Sequence, residues 1–276
     1  MKDVSYYPGC SLEGTARDYR ESIHAVCQGL GIGLEELPDW NCCGASSAHS
    51  INHKAAIALS ERNLIIAERV GRDMVVPCPL CYNRLKTAEK ARAHIKGRIK
   101  IWDLADYMGR DEILAEIESK VTRPLSGLKA VCYYGCMSSR PPRVTDVADC
   151  ENPMSMDNIL ERLGVEVIPW SHKTDCCGAS HAIDRPDLVF DLVGKLYKRA
   201  IQSGANCIAV SCQMCQANLD MYQDRISHAR KTAYYLPVLY FTELVGLAMG
   251  HGDAGTWFAR HFVDPARLLN EAGIAA

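Results

Sequence analysis

Ten of the fourteen cysteines in this 276-residue chain fall into one pattern written twice. Cys10 is followed by the adjacent pair Cys42-Cys43, then by Cys78 and Cys81. Cys136 is followed by Cys176-Cys177, then by Cys212 and Cys215. The interval from the adjacent pair to the C-x-x-C pair is 34 residues in both copies. Thiolates ligate soft metals and take part in redox exchange, so each copy reads as a five-thiol site for metal or redox chemistry.

Composition narrows the setting. The chain is 48% hydrophobic and 23% charged with a formal charge of −2, which gives no electrostatic footprint for nucleic acid or an anionic membrane. Residues 1–6 carry no apolar signal segment, and the most apolar late stretch, residues 236–250, is too short to span a bilayer and contains Pro237 and Glu243. A cytoplasmic protein is expected. In a reducing compartment clustered thiols bind metal or do chemistry rather than form staples, and a chain of this length needs none to fold.

Structural zinc takes four ligands, whereas each copy offers five. Adjacent cysteines point in different directions and suit two irons of one cluster better than a single tetrahedral ion. A cubane cluster takes four thiolates. The fifth therefore implies an unusual cluster, an exchangeable ligand or a redox-active thiol, and the spacing leaves these open. Zinc in one half, with a cluster in the other, also stays open.

The elements that must carry these thiols repeat as well. Val4-Ser5-Tyr6-Tyr7-Pro8-Gly9-Cys10 reads as a strand ending in a Pro-Gly turn, and Ala130-Val131-Cys132-Tyr133-Tyr134-Gly135-Cys136 repeats it. The first copy continues with a helix over about 15–30, a strand at 32–37, a helix at 50–70, a strand at 74–77, a helix from 80 to about 94, a strand at 100–102 and a helix at 104–117. The second follows with helices at 155–163, 188–203 and 213–230 and strands at 165–170 and 207–211. This alternation predicts an α/β fold of two pseudo-symmetric Rossmann-like halves with parallel sheets, residues 1–125 and 126–276. A short polar linker at 122–127 joins them, and the second half carries an insertion at 137–152. Every ligand cysteine then sits just past a strand's carboxyl end, where open α/β sheets place their ligands. Helices beginning after Cys78 and Cys212 aim free N–H groups at the site, and Gly9, Gly44, Gly135 and Gly178 permit tight turns there.

Tyr7-Pro8-Gly9-Cys10, Cys42-Cys43-Gly44-Ala45, Cys78-Pro79-Leu80-Cys81-Tyr82, Cys176-Cys177-Gly178-Ala179 and Cys212-Gln213-Met214-Cys215 resemble the CCG cysteine-rich domain. The two together resemble the heterodisulfide reductase family, in its subunit that carries a pair of CCG domains. The resemblance covers nearly the whole chain. It implies two noncubane [4Fe-4S] clusters, one held by Cys10, Cys42, Cys43, Cys78 and Cys81, the other by Cys136, Cys176, Cys177, Cys212 and Cys215. It also implies an oxidoreductase cleaving a disulfide, such as the mixed disulfide of coenzymes M and B, into two thiols by one-electron steps. No flavin or nicotinamide motif is present, since Gly29-x-Gly31-x-Gly33 is too compressed for a dinucleotide fingerprint. Electrons are thus expected from partners, which the resemblance gives as a ferredoxin-like iron–sulfur subunit and a flavin-containing subunit. CCG pairs also occur in subunits of fumarate reductases and of lactate- or glycolate-oxidising complexes, where the role is electron transfer. A zinc-binding thiol scaffold is the bland alternative.

Outside the repeat, Cys27, Cys132 and Cys207 lie in apolar runs and read as core residues, with Cys150 in the insertion unassigned. His49 and His181 each follow a CCG motif, as outer-shell or proton-donating groups or as solvated histidines. Lys173, Arg140 and Arg143 lie on loops expected near the second site, as holders of substrate anions or as solvated charges.

Overall fold

A computed structural model describes residues 2–91 and 98–274. Its strands form two four-stranded sheets. The first comprises β1 (Lys2–Tyr6), β2 (Ile32–Glu36), β3 (Met74–Val76) and β4 (Ile101–Asp103); the second comprises β5 (Lys129–Tyr133), β6 (Glu166–Val167), β7 (Cys207–Val210) and β8 (Val238–Tyr240). The orders are β2-β1-β3-β4 and β6-β5-β7-β8, the same topology twice, and every pairing is parallel. Strand order reverses between β1 and β3, and again between β5 and β7. A crevice opens at such a switch point because the flanking connections leave in opposite directions.

The expected elements are present, with breaks that have local causes. The helix expected over 50–70 is two, Ser47–Ile51 and His53–Val70. Asn52 between them is extended, and its side chain accepts the Ala55 amide at 3.1 Å, capping the second. The helix expected at 104–117 divides into Leu104–Met108 and Asp111–Ser119, and the one at 213–230 into Gln213–Met221 and Gln223–Arg230. The strand expected at 165–170 pairs only through Glu166–Val167. Pro169 has no N–H for the ladder, and the Trp170 indole instead donates to the Cys132 carbonyl at 2.8 Å. The helix after Cys78 is Pro79–Ala91; its expected extension towards His94 lies outside the described residues.

The stretch at 236–250 becomes β8 and the helix Phe241–Ala248, every residue of which is buried. That helix packs against Arg17–Gly29 of the first half. Gly246 permits the close packing, since a Cβ there would lie 2.7 Å from the Trp257 ring and 3.6 Å from Val26. The Ser22 and Thr242 hydroxyls share a hydrogen bond at 2.7 Å across the contact. One hydrophobic core therefore runs through both halves, from Val4, Tyr6 and Ile23 to Val210, Phe241 and Trp257. A second core, including Tyr7, Leu64, Val76 and Leu85, lies on the first sheet's other side. The linker at 122–127 is not a loose tether: Leu125 is fully buried, and the Thr122 and Arg123 amides donate to the Ala248 carbonyl. Among the described residues no helix is long and apolar enough to cross a membrane.

The C-terminal segment is tied down by His261, whose Nε2 lies 3.0 Å from Glu243 and 3.7 Å from Asp18, all three buried. Burial lowers the imidazole pKa, but Glu243, Asp220 and Asp18 outweigh it and bring it up to about 9. An imidazole raised in the fold stabilises fully below its unfolded value of 6.5, and that contribution is lost as pH climbs towards 9. The loss is on the order of 3 kcal/mol. His261→Gln should therefore flatten the fall in urea-unfolding stability between about pH 6.5 and 9; a slope equal to wild type would show that the imidazole is uncharged.

Candidate metal centres

Each half builds its site from the same parts. β1 ends at Tyr6 and delivers Cys10 through Tyr7-Pro8-Gly9, while β5 ends at Tyr133 and delivers Cys136 through Tyr134-Gly135. Tyr7 and Tyr133 are fully buried. Their hydroxyls donate to the carbonyls of Asn41 (2.7 Å) and Asp175 (2.6 Å), the residues immediately before the two Cys-Cys pairs. Each tyrosine thus fixes one thiol loop to the next. Gly9 and Gly135 have φ of +71° and +68°. A Cβ on Gly9 would lie 3.0 Å from Cys81 Sγ, and one on Gly135 2.8 Å from Cys215 Sγ. Glycine is required here on two counts, the left-handed backbone and the sulfur beside it.

The adjacent cysteines do face different ways. Cys42 and Cys176 are exposed, whereas Cys43 and Cys177 are buried. Cys42 Sγ lies 3.7 Å from Cys10 Sγ, Cys43 Sγ 3.1 Å from Cys81 Sγ, and Cys177 Sγ 3.6 Å from Cys215 Sγ. These separations exceed a disulfide bond, and all the cysteines are free. Two thiolates about 2.3 Å from one tetrahedral metal stand about 3.8 Å apart, so the Cys10–Cys42 and Cys177–Cys215 separations fit thiols bridged by metal.

Backbone donors also point at sulfur, from Gly44 N to Cys42 (3.5 Å), Cys81 N to Cys78 (3.4 Å) and Gly178 N to Cys176 (3.3 Å). Hydrogen bonds from Cys42 and Cys81 hold Cys43 at about 4, with Arg84 adding to the effect. A hydrogen bond from Cys136 brings Cys176 down to about 6, and one from Cys215 lowers Cys177. The partner thiols Cys42, Cys81, Cys136 and Cys215 are correspondingly raised. In each half, then, some thiols keep protons for others, and those are the protons that metal binding displaces.

A cavity of about 610 Å³ lies between the halves. One wall is Cys136, Cys176, Cys177, Cys212 and Cys215; the opposite wall comes from the first half through Ala45, Ser46, His49, Pro79, Leu80 and Arg84. Behind it, the Tyr19 hydroxyl donates to the Ser211 carbonyl at 2.9 Å and lies 3.4 Å from that of Pro77. Those residues immediately precede Cys212 and Cys78. The Tyr19 ring is stacked on Tyr240 at 4.1 Å, so one buried side chain fixes the spacing between the two C-x-x-C pairs.

Comparison with known proteins agrees with this duplication. The family model for the CCG cysteine-rich domain matches residues 4–86 and again residues 130–220. The chain belongs to the CCG cysteine-rich domain family. A fumarate reductase protein of Wolinella succinogenes, named as the 8-methylmenaquinol:fumarate reductase membrane anchor subunit, is 31% identical over 97% of the chain and 99% of its own length. A subunit of the ferredoxin- and F420H2-dependent CoB-CoM heterodisulfide reductase of Methanosarcina acetivorans is 26% identical over 91% of the chain and 90% of its own. A crystal structure of a hypothetical protein from Helicobacter pylori shares the fold, with a TM-score of 0.70 at 11% identity. The match covers 95% of this chain and 52% of that one, so the chain spans about half its length.

In this CCG chain the other candidate residues separate by position. His49 lines the cavity and contacts Arg84, whose charge holds the imidazole below its usual range. His181 is half exposed, lies 3.7 Å from Asp184 and does not line the cavity. Lys173 is neither solvated nor placed to hold a ligand: it is 3% exposed, ion-paired with Asp157 at 2.7 Å and bonded to the Pro153 carbonyl. Arg140 pairs with Glu151, and Arg143 is exposed. Cys27, Cys132 and Cys207 are core residues, with burial pushing Cys27 and Cys207 up to about 12; Cys150 is half-buried. Sequence reasoning used the Tyr-Tyr dipeptides only as a strand signal and gave no role to Tyr19, Asn63 or Asn218. Asn63 exchanges two hydrogen bonds with the Asn41 backbone, and Asn218 donates to the Cys177 carbonyl at 2.7 Å.

Gly135→Ala should push a methyl group against Cys215 Sγ and cost the second site its metal. Metal analysis should read about half of wild type in a chain that still unfolds cooperatively. Full metal content in that variant would show that the thiols can rearrange around a side chain.

Proposed function

We propose that this chain is the catalytic iron–sulfur subunit of a heterodisulfide reductase-like complex, and that the cavity between its halves is where a disulfide is reduced to two thiols. The observation that supports this most directly is the placing of two five-thiol sites at equivalent switch points, with one cavity between their halves. On this reading Cys10, Cys42, Cys43, Cys78 and Cys81 hold one noncubane [4Fe-4S] cluster and Cys136, Cys176, Cys177, Cys212 and Cys215 the other. The donor sets suit such clusters: thiolates only, five per site, with amide donors to sulfur and no Cβ in the way. Bound clusters supply electrons one at a time.

The chain's own residues hold the geometry and shape the cavity. Tyr7, Tyr133 and Tyr19 fix the thiol loops relative to one another, and Ala45, Pro79, Leu80 and Met214 line the cavity with apolar side chains beside the thiols. The net reaction consumes one disulfide, two electrons and two protons and yields two thiols. The electrons enter from partners, a ferredoxin-like iron–sulfur subunit and a flavin-containing subunit. The two halves on this reading divide at residues 125 and 126.

A second reading is favoured by the 31% identity to the Wolinella succinogenes fumarate reductase protein over almost all of both chains. There the chain passes electrons between partner subunits, and the cavity takes no disulfide.

Anaerobically purified protein should contain roughly eight irons with matching sulfide, and Cys43→Ala and Cys177→Ala should each lose about half. Disulfide added to the dithionite-reduced protein should reoxidise it with release of two thiols, and either substitution should abolish that release. Reoxidation by a quinone analogue but by no disulfide would move the chain to the electron-transfer reading. Zinc without sulfide would remove both.

A further inference from the structure

Arg84 differs from the arginines that pair with carboxylates. Arg62, Arg230 and Arg260 illustrate the common pattern, each meeting a carboxylate, Asp39, Asp191 and Glu21 respectively. The guanidinium of Arg84 meets none among the described residues. Its Nη1 lies 2.9 Å from His49 Nδ1, its Nη2 donates to Asn83 Oδ1 at 3.0 Å, and its Nε is buried with no hydrogen-bond partner. Guanidinium carries five N–H donors in a fixed fork, so most of them remain unused. Both Arg84 and His49 line the cavity between the halves.

The fork is held in place. Asn83 is fully buried, and its Nδ2 donates to the carbonyls of Met137 (3.2 Å) and Arg140 (2.9 Å), across the boundary with the second half. Its Oδ1 is left for Arg84. Position 84 is also where the repeat breaks its own symmetry. Three residues after the last cysteine, the second half has Asn218, which supports the Cys177 carbonyl; in the first half the Cys43 carbonyl is bonded instead by Ser60 at 3.1 Å. Arg84 is thereby free of the structural duty its counterpart performs.

We propose that Arg84, positioned by Asn83 and His49, is the anion-recognition group of the cavity, taking a carboxylate or a comparable two-oxygen anion of a small ligand whose reacting end lies at the second thiol site. This rests on the reading of the cavity as the place where the substrate binds. A planar fork facing a two-oxygen anion makes a pair of charge-assisted hydrogen bonds, which a lysine does not reproduce. The apolar side chains around the cavity lower the local dielectric and so strengthen them. The ligand class is an anionic thiol or disulfide rather than a neutral one.

Three probes of similar size separate the claims by calorimetric titration of the iron-loaded protein: mercaptoacetate, neutral 2-mercaptoethanol, and propionate, which keeps the carboxylate without the thiol. Mercaptoacetate should bind at least about tenfold more tightly than 2-mercaptoethanol, and Arg84→Gln should cost it roughly tenfold or more while shifting 2-mercaptoethanol less than about twofold. Arg84→Lys keeps the charge near the first site and loses the fork, so it should weaken mercaptoacetate about fivefold; this variant carries the test if Arg84→Gln fails to hold iron. Mercaptoacetate affinity unchanged in both variants overturns the role of Arg84 and leaves the disulfide reading standing. Propionate binding as tightly as mercaptoacetate, and in the same Arg84-dependent way, upholds the anion site and removes the thiol as the reacting group. Binding of none of the three to the wild type overturns both.

Discussion

On the proposed function, convergence of five sulfur atoms is the constraint on which each half depends. Ionised thiolates repel one another, and buried ones are further penalised by loss of water. A site of this kind therefore has to be held by its backbone before any metal arrives. The chain does this by drawing sulfurs from three neighbouring strand ends and locking the loops together with side chains that are not ligands. Tyr7 and Tyr133 reach from the first cysteine's strand to the carbonyl before the adjacent pair. The glycines before Cys10 and Cys136 leave room for a sulfur from the C-x-x-C helix. Without that room, the turn and the helix would exclude each other.

The two sites are built alike but set differently. Thiols of the second form a wall of the cavity, whereas the first contributes its neighbouring loop and helix, through Ala45, Pro79 and Leu80. Its outer thiols, Cys10 and Cys42, are exposed. On the proposed function, an electron arriving from a partner and a ligand entering the cavity would have separate approaches. Tyr19, stacked on Tyr240 and bonded behind both C-x-x-C pairs, keeps the distance between those approaches fixed.

Much of this was legible in the sequence because cysteine spacing is a direct record of the site, and strand–helix alternation a direct record of a parallel sheet. The strand before each first cysteine and the repeated order both correspond to observed elements. The breaks at Asn52 and Tyr222 were not legible, since helical periodicity continues through them and only the local backbone geometry departs from it. Tyr7 and Tyr133 looked like strand residues because tyrosine favours strands whatever its hydroxyl does. Lys173 looked like a loop charge; its burial depends on Asp157, a partner 16 positions earlier in the chain that only the fold brings near. The stretch at 236–250 showed as apolar without showing why. It fills the core between the halves, a role defined by a surface that composition does not describe.

The packing of Phe241–Ala248 against Arg17–Gly29 has a consequence for how such a chain arises. A duplicated gene normally yields two units that were once self-sufficient. Here a fully buried helix of one copy covers the first long helix of the other, so either copy alone would leave a broad apolar face in water. A single five-thiol unit with this packing would need a second copy to cover that face. Within one chain the two sites need not be identical, and Arg84 in the first stands where Asn218 stands in the second.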